Sequence, residues 1–136
     1  TSLSSYSGTI IAVIPAALRA VLKSVTKYTD NTGNSSAASA VTATTDYFFL
    51  LSEYEVFGST TYANSNEASK QAQYSYYSAG NSKVKYNHSA TSTAVFWWLR
   101  SPGASNSAGF VNVGPDGSVY DIYAVYSFGF APGFCV

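Results

Sequence analysis

Short apolar runs alternate with long polar stretches along the chain, and in its first third this pattern predicts a helix, a strand and a loop. Residues 14–23 predict a short amphipathic helix, because Pro15 suits a first helical turn and apolar residues recur at helical spacing. The apolar face consists of Ile14, Leu18, Val21 and Leu22. Residues 24–29 are rich in β-branched side chains and predict a strand, whereas the Asn-, Ser-, Thr- and Ala-rich residues 30–46 predict an exposed, mobile loop.

The middle third predicts a buried strand followed by two helices. Residues 47–51 (YFFLL) are continuously apolar between polar neighbours, as in a central buried strand. Ser52 and Glu55 have the spacing of a capping box, which predicts the start of a brief helix that Gly58 ends. A second helix is predicted over 66–78. Its shared face holds Ala68, Ala72 and Tyr76, and Gly80 terminates it.

The last third predicts strands and turns. Predicted strands cover residues 96–99, 108–113, 118–125 and 129–136. Ser-Pro-Gly at 101–103 ends the strand over 96–99. Gly-Pro-Asp-Gly at 114–117 favours a turn between the strands over 108–113 and 118–125. Because the predicted helices come early in the chain and most of the predicted strands come late, the sequence predicts an α+β fold with long loops. Length predicts one domain over 1–136, in which the small polar residues 1–8 form a linker-like lead-in.

Charge is scarce and balanced. Seven basic and seven acidic side chains cancel, and charged residues make up 10% of the chain, against about 25% in an average soluble domain. The basic residues are scattered, so no nucleic-acid partner is expected. No apolar run approaches the roughly 20 residues of a membrane span, so no membrane insertion is expected. A surface of Ser, Thr, Asn, Gly and Tyr predicts an extracellular, cell-surface or virion protein.

Residues that could carry metal or catalytic chemistry are few. Cys135 is the only cysteine and His88 the only histidine. Cys135 lies in an apolar run, which predicts a buried, inert thiol. His88 lies in a polar stretch, which predicts a solvated loop residue. Calcium would need clustered acidic side chains, and Asp116 and Asp121 are the only nearby pair of aspartates. We therefore expect no metal, no cofactor and no enzymatic activity.

Four sequence blocks carry a resemblance to a known family. They are FLLSEYEVFG at 49–58, FWWLRSPG at 96–103, VGPDGSV at 113–119 and GFAPGF at 129–134. In this order they resemble the variable proteins of diversity-generating retroelements, a bacterial and phage family of lectin-like domains. The last block departs from the family, because Phe-Ala-Pro-Gly at 130–133 replaces a Val-Arg-Pro-Ala type ending. A family arginine is absent at that point.

The resemblance implies a C-type-lectin-like fold, in which two helices pack on a small twisted antiparallel sheet with long loops and an irregular region displays the ligand surface. In that family, adenines of a template repeat are randomised, so mostly Asn codons change, and they cannot become Lys, Glu, Gln, Met or Trp. From Thr1 to Gly103 there are five Lys, three Glu, two Gln and two Trp, and residues 104–136 contain none of these. The depletion favours diversification, although a buried strand region would also be poor in charge.

Carried over by position, the resemblance implies a diversified ligand-binding set between the Gly and Pro positions of the last third. The set is Ser105, Asn106, Ser107, Phe110, Asn112, Tyr120, Asp121, Ile122, Tyr123, Ala124, Tyr126, Ser127 and Phe128. The implied scaffold positions among them are Gly103, Gly109, Val119, Val125 and Gly129. Tyr with Ser, Asn and Gly is the composition of antibody-type paratopes, where Tyr gives rigid contact area and small polar residues give adaptable hydrogen bonds.

Two further expectations concern the aromatic and basic residues. Strand alternation places aromatic side chains on both faces of 118–125, which favours an exposed recognition surface over a half-buried core strand. At least one of Trp97 and Trp98 should pack in the core. Arg100 beside them needs a partner, and Glu53 or Glu55 is the expected one.

The sequence therefore predicts a non-enzymatic ligand- or receptor-binding domain whose partner is a protein or a glycan. The alternative is a structural assembly domain of a virion or cell-surface complex that uses the same face for a fixed subunit. Whether the chain forms a homo-oligomer or attaches to a larger upstream region stays open. An enzyme would need a constellation of catalytic residues that the sequence does not offer.

Overall fold

Short helices and small, mostly antiparallel sheets make up the α+β architecture of residues 10–136, the part of the chain that the computed structural model describes. The predicted α+β class is therefore confirmed. The predicted lead-in at 1–8 lies outside the described residues. Among the helices of residues 10–136, none has the length and apolar character needed to cross a membrane.

The helices are short and the strands carry most of the regular structure. The helices are α1 (Ala16–Arg19), α2 (Glu53–Phe57) and α3 (Ser75–Ser78), and turns of 3₁₀ helix cover Ile10–Val13, Ala38–Ala40 and Ser65–Lys70. The strands are β1 (Val25–Asp30), β2 (Val41–Asp46), β3 (Lys85–Asn87), β4 (Ala90–Val95), β5 (Trp97–Pro102), β6 (Gly109–Val113), β7 (Val119–Tyr123) and β8 (Gly129–Phe130). Two helices packed on one sheet were expected, and the described residues instead hold three helices of four or five residues.

Strand pairing brings the end of the chain into one sheet. β1 pairs with β2 and β3 with β4 as separate antiparallel hairpins. The third sheet has the order β7-β6-β5-β8, in which only the β5–β8 contact is parallel. Trp97 lies opposite Val113, and Val113 lies opposite Val119, so these side chains share one face.

That face forms the core. Its buried side chains are Trp97, Leu99, Val111 and Val113, and they pack with Val56, Ala63 and Tyr77 from the helical side. Trp97 is 1% exposed, and its Nε1 donates to the carbonyl oxygen of Lys83 at 3.0 Å. Its indole is therefore both buried and satisfied, which confirms that at least one tryptophan belongs to the core.

Arg100 fastens the sheet to α2 through the side chain of Glu55. Its Nη1 lies 2.5 Å from Oε2 of Glu55, and Lys27 Nζ lies 2.8 Å from Oε1. Arg100 also donates to Thr29 Oγ1 at 2.8 Å and to the carbonyl of Leu50 at 2.7 Å. Burial alone would raise the pKa of Glu55, but the hydrogen bond and charge of Arg100, with help from Lys27, hold it below its ordinary value. The expected pairing is confirmed for Glu55.

The other candidate partner, Glu53, has a different role. It is fully buried, and its carboxylate accepts backbone N–H groups from Thr61 at 2.5 Å, Tyr62 at 3.1 Å and Ala63 at 2.7 Å. A buried carboxylate held by several N–H donors is well satisfied and fixes the loop that supplies them. Glu53 therefore shapes the 61–63 loop and is not the partner of Arg100.

Several predicted ends and turns are confirmed. Ser52 and Glu55 form the capping box at the start of α2, with Ser52 N donating to Glu55 Oε2 at 2.9 Å and Glu55 N to Ser52 Oγ at 3.1 Å. Gly58 follows α2 at a φ of 71°, a left-handed conformation that favours glycine. Gly117 closes the 114–117 turn by donating its N–H to the carbonyl of Gly114 at 2.9 Å.

The bounds predicted for the helices over 14–23 and 66–78 are wrong, because each range holds only one turn of α-helix. The helix expected over 14–23 is only α1, because the chain turns extended and Lys23 N donates to the carbonyl of Cys135 at 2.9 Å. The helix expected over 66–78 splits into a 3₁₀ turn and α3 around an extended Gln71. Gln71 accepts hydrogen bonds from Ser52 and Arg100, so buried polar contacts override the helical spacing.

Several strand and loop predictions are wrong, because the backbone N–H and C=O groups form hydrogen bonds with partners that the local sequence does not indicate. Residues 30–46 are not all loop, because β2 pairs with β1 along its full length. Residues 47–51 form no ladder: Phe49 makes an isolated bridge with Gly133, and the Leu51 carbonyl accepts from Arg100 N at 2.9 Å. The closing strand over 129–136 is only β8 with isolated bridges after it. The β3–β4 hairpin was not predicted.

Candidate functional site

Most candidate ligand-binding residues lie on β6, β7 and the segment that follows β7. Phe110 lies opposite Ile122, and Asn112 lies opposite both Tyr120 and Trp98. These positions alternate with Val111 and Val113, which point into the core. Trp98, Phe110, Tyr120 and Ile122 therefore share the side of the sheet away from the core, which we call the outer face.

Exposure divides the candidate set into three groups. The exposed members are Ser105, Ser107, Phe110, Tyr123, Ala124, Tyr126 and Ser127, with Tyr123 at 57% and Tyr126 at 55%. Half-buried members are Asn106, Tyr120, Asp121, Ile122 and Phe128. Asn112 is fully buried, and its Nδ2 donates to the carbonyl of Phe110 at 3.2 Å. Asn112 therefore differs from the other members of the set, because its burial keeps it from the surface in this conformation.

Aromatic rings from the candidate set pack on rings of the frame. Phe128 stacks on Phe96 at a centroid distance of 4.8 Å and on Tyr126 at 5.8 Å, and it packs at a tilt of 34° against Trp98, also at 4.8 Å. Tyr120 meets Phe96 edge to face at 5.6 Å. These five rings form the aromatic cluster, with Phe128 at its centre. Offset and edge contacts of this kind stabilise ring positions, so the cluster presents a preorganised surface.

An open groove runs beside the aromatic cluster. It has a volume of about 600 Å³ and an almost wholly apolar lining. The lining includes Phe48, Phe49, Leu50, Trp98, Phe110, Ala124, Phe130 and Pro132. Phe110 and Ala124 belong to the candidate set, whereas Phe48 to Leu50 come from the stretch wrongly predicted as a strand. We call this the apolar groove, and its volume lies within the range of ligand sites, about 300–1,000 Å³.

Two of the three glycines expected as scaffold, Gly103 and Gly109, have close neighbours where a Cβ would stand. A Cβ on Gly103 would lie 2.7 Å from Oδ2 of Asp121, and a Cβ on Gly109 would overlap both Asp121 and Asn106. Val119 packs against the core as expected, but Val125 is 83% exposed. The scaffold role predicted for Val125 is therefore wrong.

A smaller cavity opens on the other side of Phe110. Its volume is about 270 Å³, and its lining is Thr29, Asp30, Asn31, Thr32, Gly33, Arg100, Pro102, Asn106, Ser107, Gly109 and Phe110. Asp30 is 2% exposed. This polar cavity was not predicted, because residues 30–33 of its lining lie in the stretch predicted as a mobile loop. Phe110 and Arg100 line both the polar cavity and the apolar groove.

The other residues considered for metal or catalytic chemistry lie in separate parts of the described structure. His88 is exposed in the turn between β3 and β4, which confirms the solvated loop residue. Cys135 is only partly buried, so the predicted burial of its thiol is not complete. Asp116 accepts a hydrogen bond from Ser118 N at 3.0 Å, and this bond lowers the pKa of the Asp116 carboxyl. Tyr120 donates its hydroxyl to Asp116 at 3.2 Å, and this bond raises the pKa of the Tyr120 phenol. Within residues 10–136, no three His, Cys, Asp or Glu side chains gather as a metal site.

Comparison with known proteins gives one family. A family model described as "Domain of unknown function (DUF6273)" matches residues 6–136, nearly the whole chain. Neither the curated proteins nor the solved structures contain a match.

Proposed function

The chain belongs to the DUF6273 family, whose function is unknown, and we propose that it is a non-enzymatic ligand- or receptor-binding domain with a C-type-lectin-like scaffold. The main support is that β6, β7 and the segment after β7 carry two separate sets of side chains, one buried and one exposed. Val111, Val113 and Val119 face or pack on the core, whereas Phe110, Tyr123 and Tyr126 are exposed. Binding residues can then change without removing the side chains that hold the fold.

Recognition would combine apolar anchors with adaptable polar groups. Tyr123 and Tyr126 offer large, exposed rings at low entropic cost, and tyrosines are frequent energetic centres of interfaces. Ser105, Ser107 and Ser127 are exposed and can form hydrogen bonds around them. The apolar groove next to this surface would bury part of a protein or glycan ligand.

We further propose that the candidate surface is diversified, as in the retroelement variable proteins that the sequence resembles. Each candidate residue can arise from an Asn codon by changes at its two adenines. Residues 104–136 also lack Lys, Glu, Gln, Met and Trp, which such changes cannot produce. The same proposal places the domain on a cell surface or a virion, where a varied ligand surface would meet varied partners.

Alanine variants at the two most exposed candidate tyrosines test the binding role. Tyr123→Ala and Tyr126→Ala should each weaken binding. Tyr123→Ala should leave the melting temperature nearly unchanged because Tyr123 is 57% exposed, whereas Tyr126→Ala should lower it by only a few degrees, the value of one ring contact with Phe128. Tyr76→Ala is the matched control, since Tyr76 is 54% exposed and lies on α3, outside the candidate set. Binding is measured on arrays of purified cell-surface proteins and glycans. A large loss of stability in either test variant would place these rings in the core and remove them from the site.

A fixed assembly partner is the second candidate function. Val125 is 83% exposed and Phe130 is 52% exposed, and apolar side chains left in water favour a permanent contact. A constant oligomer seen by sedimentation, and dissolved by Val125→Asp, would favour assembly over recognition of varied ligands.

A further inference from the structure

A second groove, of about 820 Å³, separates the β3–β4 hairpin from β8, the edge strand of the four-stranded sheet. Residues 85–89 and 94–97 line it on one side and residues 127–131 on the other, together with Pro115. We call it the hairpin cleft. Its volume lies within the about 300–1,000 Å³ of ligand sites, and its walls come from distant parts of the chain.

Lys85 brings a positive charge into the hairpin cleft that no carboxylate neutralises. Lys85 is half-buried, and its Nζ lies 5.6 Å from the centroid of the Trp97 ring. Both ion pairs formed within residues 10–136 involve Glu55, so the ammonium group of Lys85 takes part in neither. A half-buried ammonium group has lost part of its hydration, and a ring face replaces only part of what water supplied. Its N–H donors are therefore available to an anion in the cleft.

The charges around the cleft point to the same kind of ligand. The lining contains Lys85 and His88 but no Asp or Glu. Asp116 follows a lining residue in the sequence, but its carboxylate already accepts from Ser118 N at 3.0 Å and from the Tyr120 hydroxyl at 3.2 Å. The electrostatic complement of the cleft is therefore an anion.

The aromatic rings of the cleft favour an anion beside an apolar group. Phe96 and Phe128 both line the cleft, and they stack on each other at 4.8 Å with an interplanar angle of 18°. The faces that they turn toward each other are closed to a ligand, which leaves less ring face on which a sugar could stack. Ring edges carry the positive end of the aromatic quadrupole, so they attract a carboxylate as Lys85 does.

A free strand edge beside the cleft suits an extended chain. Gly129 N donates to the carbonyl of Phe96 at 3.0 Å, toward β5. Successive backbone groups of a strand point in opposite directions, so the N–H and C=O of Phe130 point away from β5. No strand follows β8 in the order β7-β6-β5-β8 of this sheet. Extended peptides bind to such edges through main-chain hydrogen bonds and place alternate side chains in adjacent pockets.

We infer that the hairpin cleft binds an extended, acidic segment of a protein target, in which a carboxylate meets Lys85 and a neighbouring apolar side chain lies against Phe96 and Phe128. The inference rests on the proposed binding function and names the class of ligand. Ser127 and Phe128 belong to the candidate set, whereas Lys85 lies outside residues 104–136. Diversification would therefore vary one wall of the cleft and leave the charged anchor fixed.

The test uses three acetylated and amidated hexapeptides that differ only in charge: Gly-Glu-Leu-Glu-Val-Gly, Gly-Gln-Leu-Gln-Val-Gly and Gly-Lys-Leu-Lys-Val-Gly. Binding is measured by NMR chemical-shift titration at low ionic strength. The Glu peptide should bind about tenfold more tightly than the Gln peptide, because only the former gives Lys85 a charged acceptor. The Lys peptide should not bind, and added salt should weaken binding of the Glu peptide.

Variants of Lys85 locate the binding in the cleft. Lys85→Gln should weaken binding of the Glu peptide about tenfold, whereas Lys85→Arg keeps the charge and should stay within about threefold of wild type. Lys70→Gln is the matched control, since Lys70 Nζ also lies over a ring, 6.0 Å from the centroid of Tyr28, but outside the cleft; binding should stay within about twofold. Ser127→Glu puts a negative charge in the cleft without changing Lys85, and should weaken binding even if Lys85→Gln lowers the melting temperature.

Three results would overturn the inference: the peptides bind alike or not at all, Lys85→Gln and Ser127→Glu leave binding unchanged, or 3′-sialyllactose binds through Lys85 while no peptide does. If Tyr123→Ala abolishes binding to array targets while Lys85→Gln does not, the cleft inference fails and the proposed function stands. Charge-selective peptide binding that depends on Lys85 supports the cleft even if Tyr123→Ala changes nothing, a result that counts against the candidate tyrosines.

Discussion

Replacing Phe128 with alanine tests most sharply whether the aromatic cluster is surface or core. Its ring packs on Phe96 and Trp98 at 4.8 Å and on Tyr126 at 5.8 Å. Each such pair is worth about 0.5–1.5 kcal/mol. Phe128 is half-buried, so the loss should fall below the about 3–5 kcal/mol of a fully buried phenylalanine. We expect Phe128→Ala to reduce the free energy of unfolding by about 2 kcal/mol.

The assay is chemical and thermal unfolding followed by tryptophan fluorescence and circular dichroism. For a domain of this length, a loss of about 2 kcal/mol lowers the melting temperature by roughly 6–10 °C. The variant should stay folded, because small domains have a stability of about 5–15 kcal/mol. Phe128→Tyr is the matched control: it keeps the stacked ring and should change stability by less than about 0.5 kcal/mol.

Two results would refute this reasoning. A loss of about 4 kcal/mol or more, the value of a buried ring, would make Phe128 part of the core and unsuited to diversification. A change no larger than that of Phe128→Tyr would mean that the packing on Phe96 and Trp98 does not persist in solution. A double-mutant cycle of Phe128→Ala with Tyr126→Ala should give a coupling of about 0.5–1.5 kcal/mol, which isolates one of the stacked pairs.

Other predictions concern the frame. Trp97→Ala should cost about 3–5 kcal/mol in chemical unfolding, because the indole is 1% exposed; a loss below about 1 kcal/mol would contradict its core position. Glu55→Gln leaves Arg100 without its carboxylate and should cost about 3–5 kcal/mol at neutral pH. The folded-state pKa of Glu55 is lowered, so its contribution is present above the ordinary glutamate pKa and is lost as the pH falls through the lower value. The variant should therefore lose less stability in acid than wild type, and an unchanged acid profile would contradict the pairing. Gly109→Ala forces a methyl group against Asp121 and should cost about 1–3 kcal/mol by thermal unfolding, whereas wild-type stability would disprove the close contact.

Local chemistry made part of the fold predictable. The capping box of Ser52 and Glu55, and the turn at 114–117, depend on neighbours within a few residues, and the structure has both. The strands around that turn follow from alternation and are β6 and β7. A pairing of Arg100 with Glu53 or Glu55 was predictable because an unpartnered guanidinium beside two tryptophans is costly, and the structure shows that the partner is Glu55.

Long-range hydrogen bonds explain the failures. Gln71 accepts hydrogen bonds from Ser52 and Arg100 and leaves the helical conformation. The backbone of residues 49–51 is bonded only at single points, to Gly133 and to Arg100 of β5, and does not form a continuous ladder. No local pattern encodes such partners. The polar cavity was missed for the same reason, since Asp30 and Asn106 meet only through the folded chain.

The measurement that tests the central proposal most directly is the sequence of the coding DNA and its flanks. We predict a nearby near-copy of the segment encoding residues 104–136 that differs only where the copy carries adenines. The differences should fall at codons for exposed or half-buried residues such as Tyr123, Tyr126 and Phe128, and should spare the buried Val111 and Val113. A flank without any such copy, or a copy whose differences fall on the core valines, would contradict a diversified ligand-binding surface.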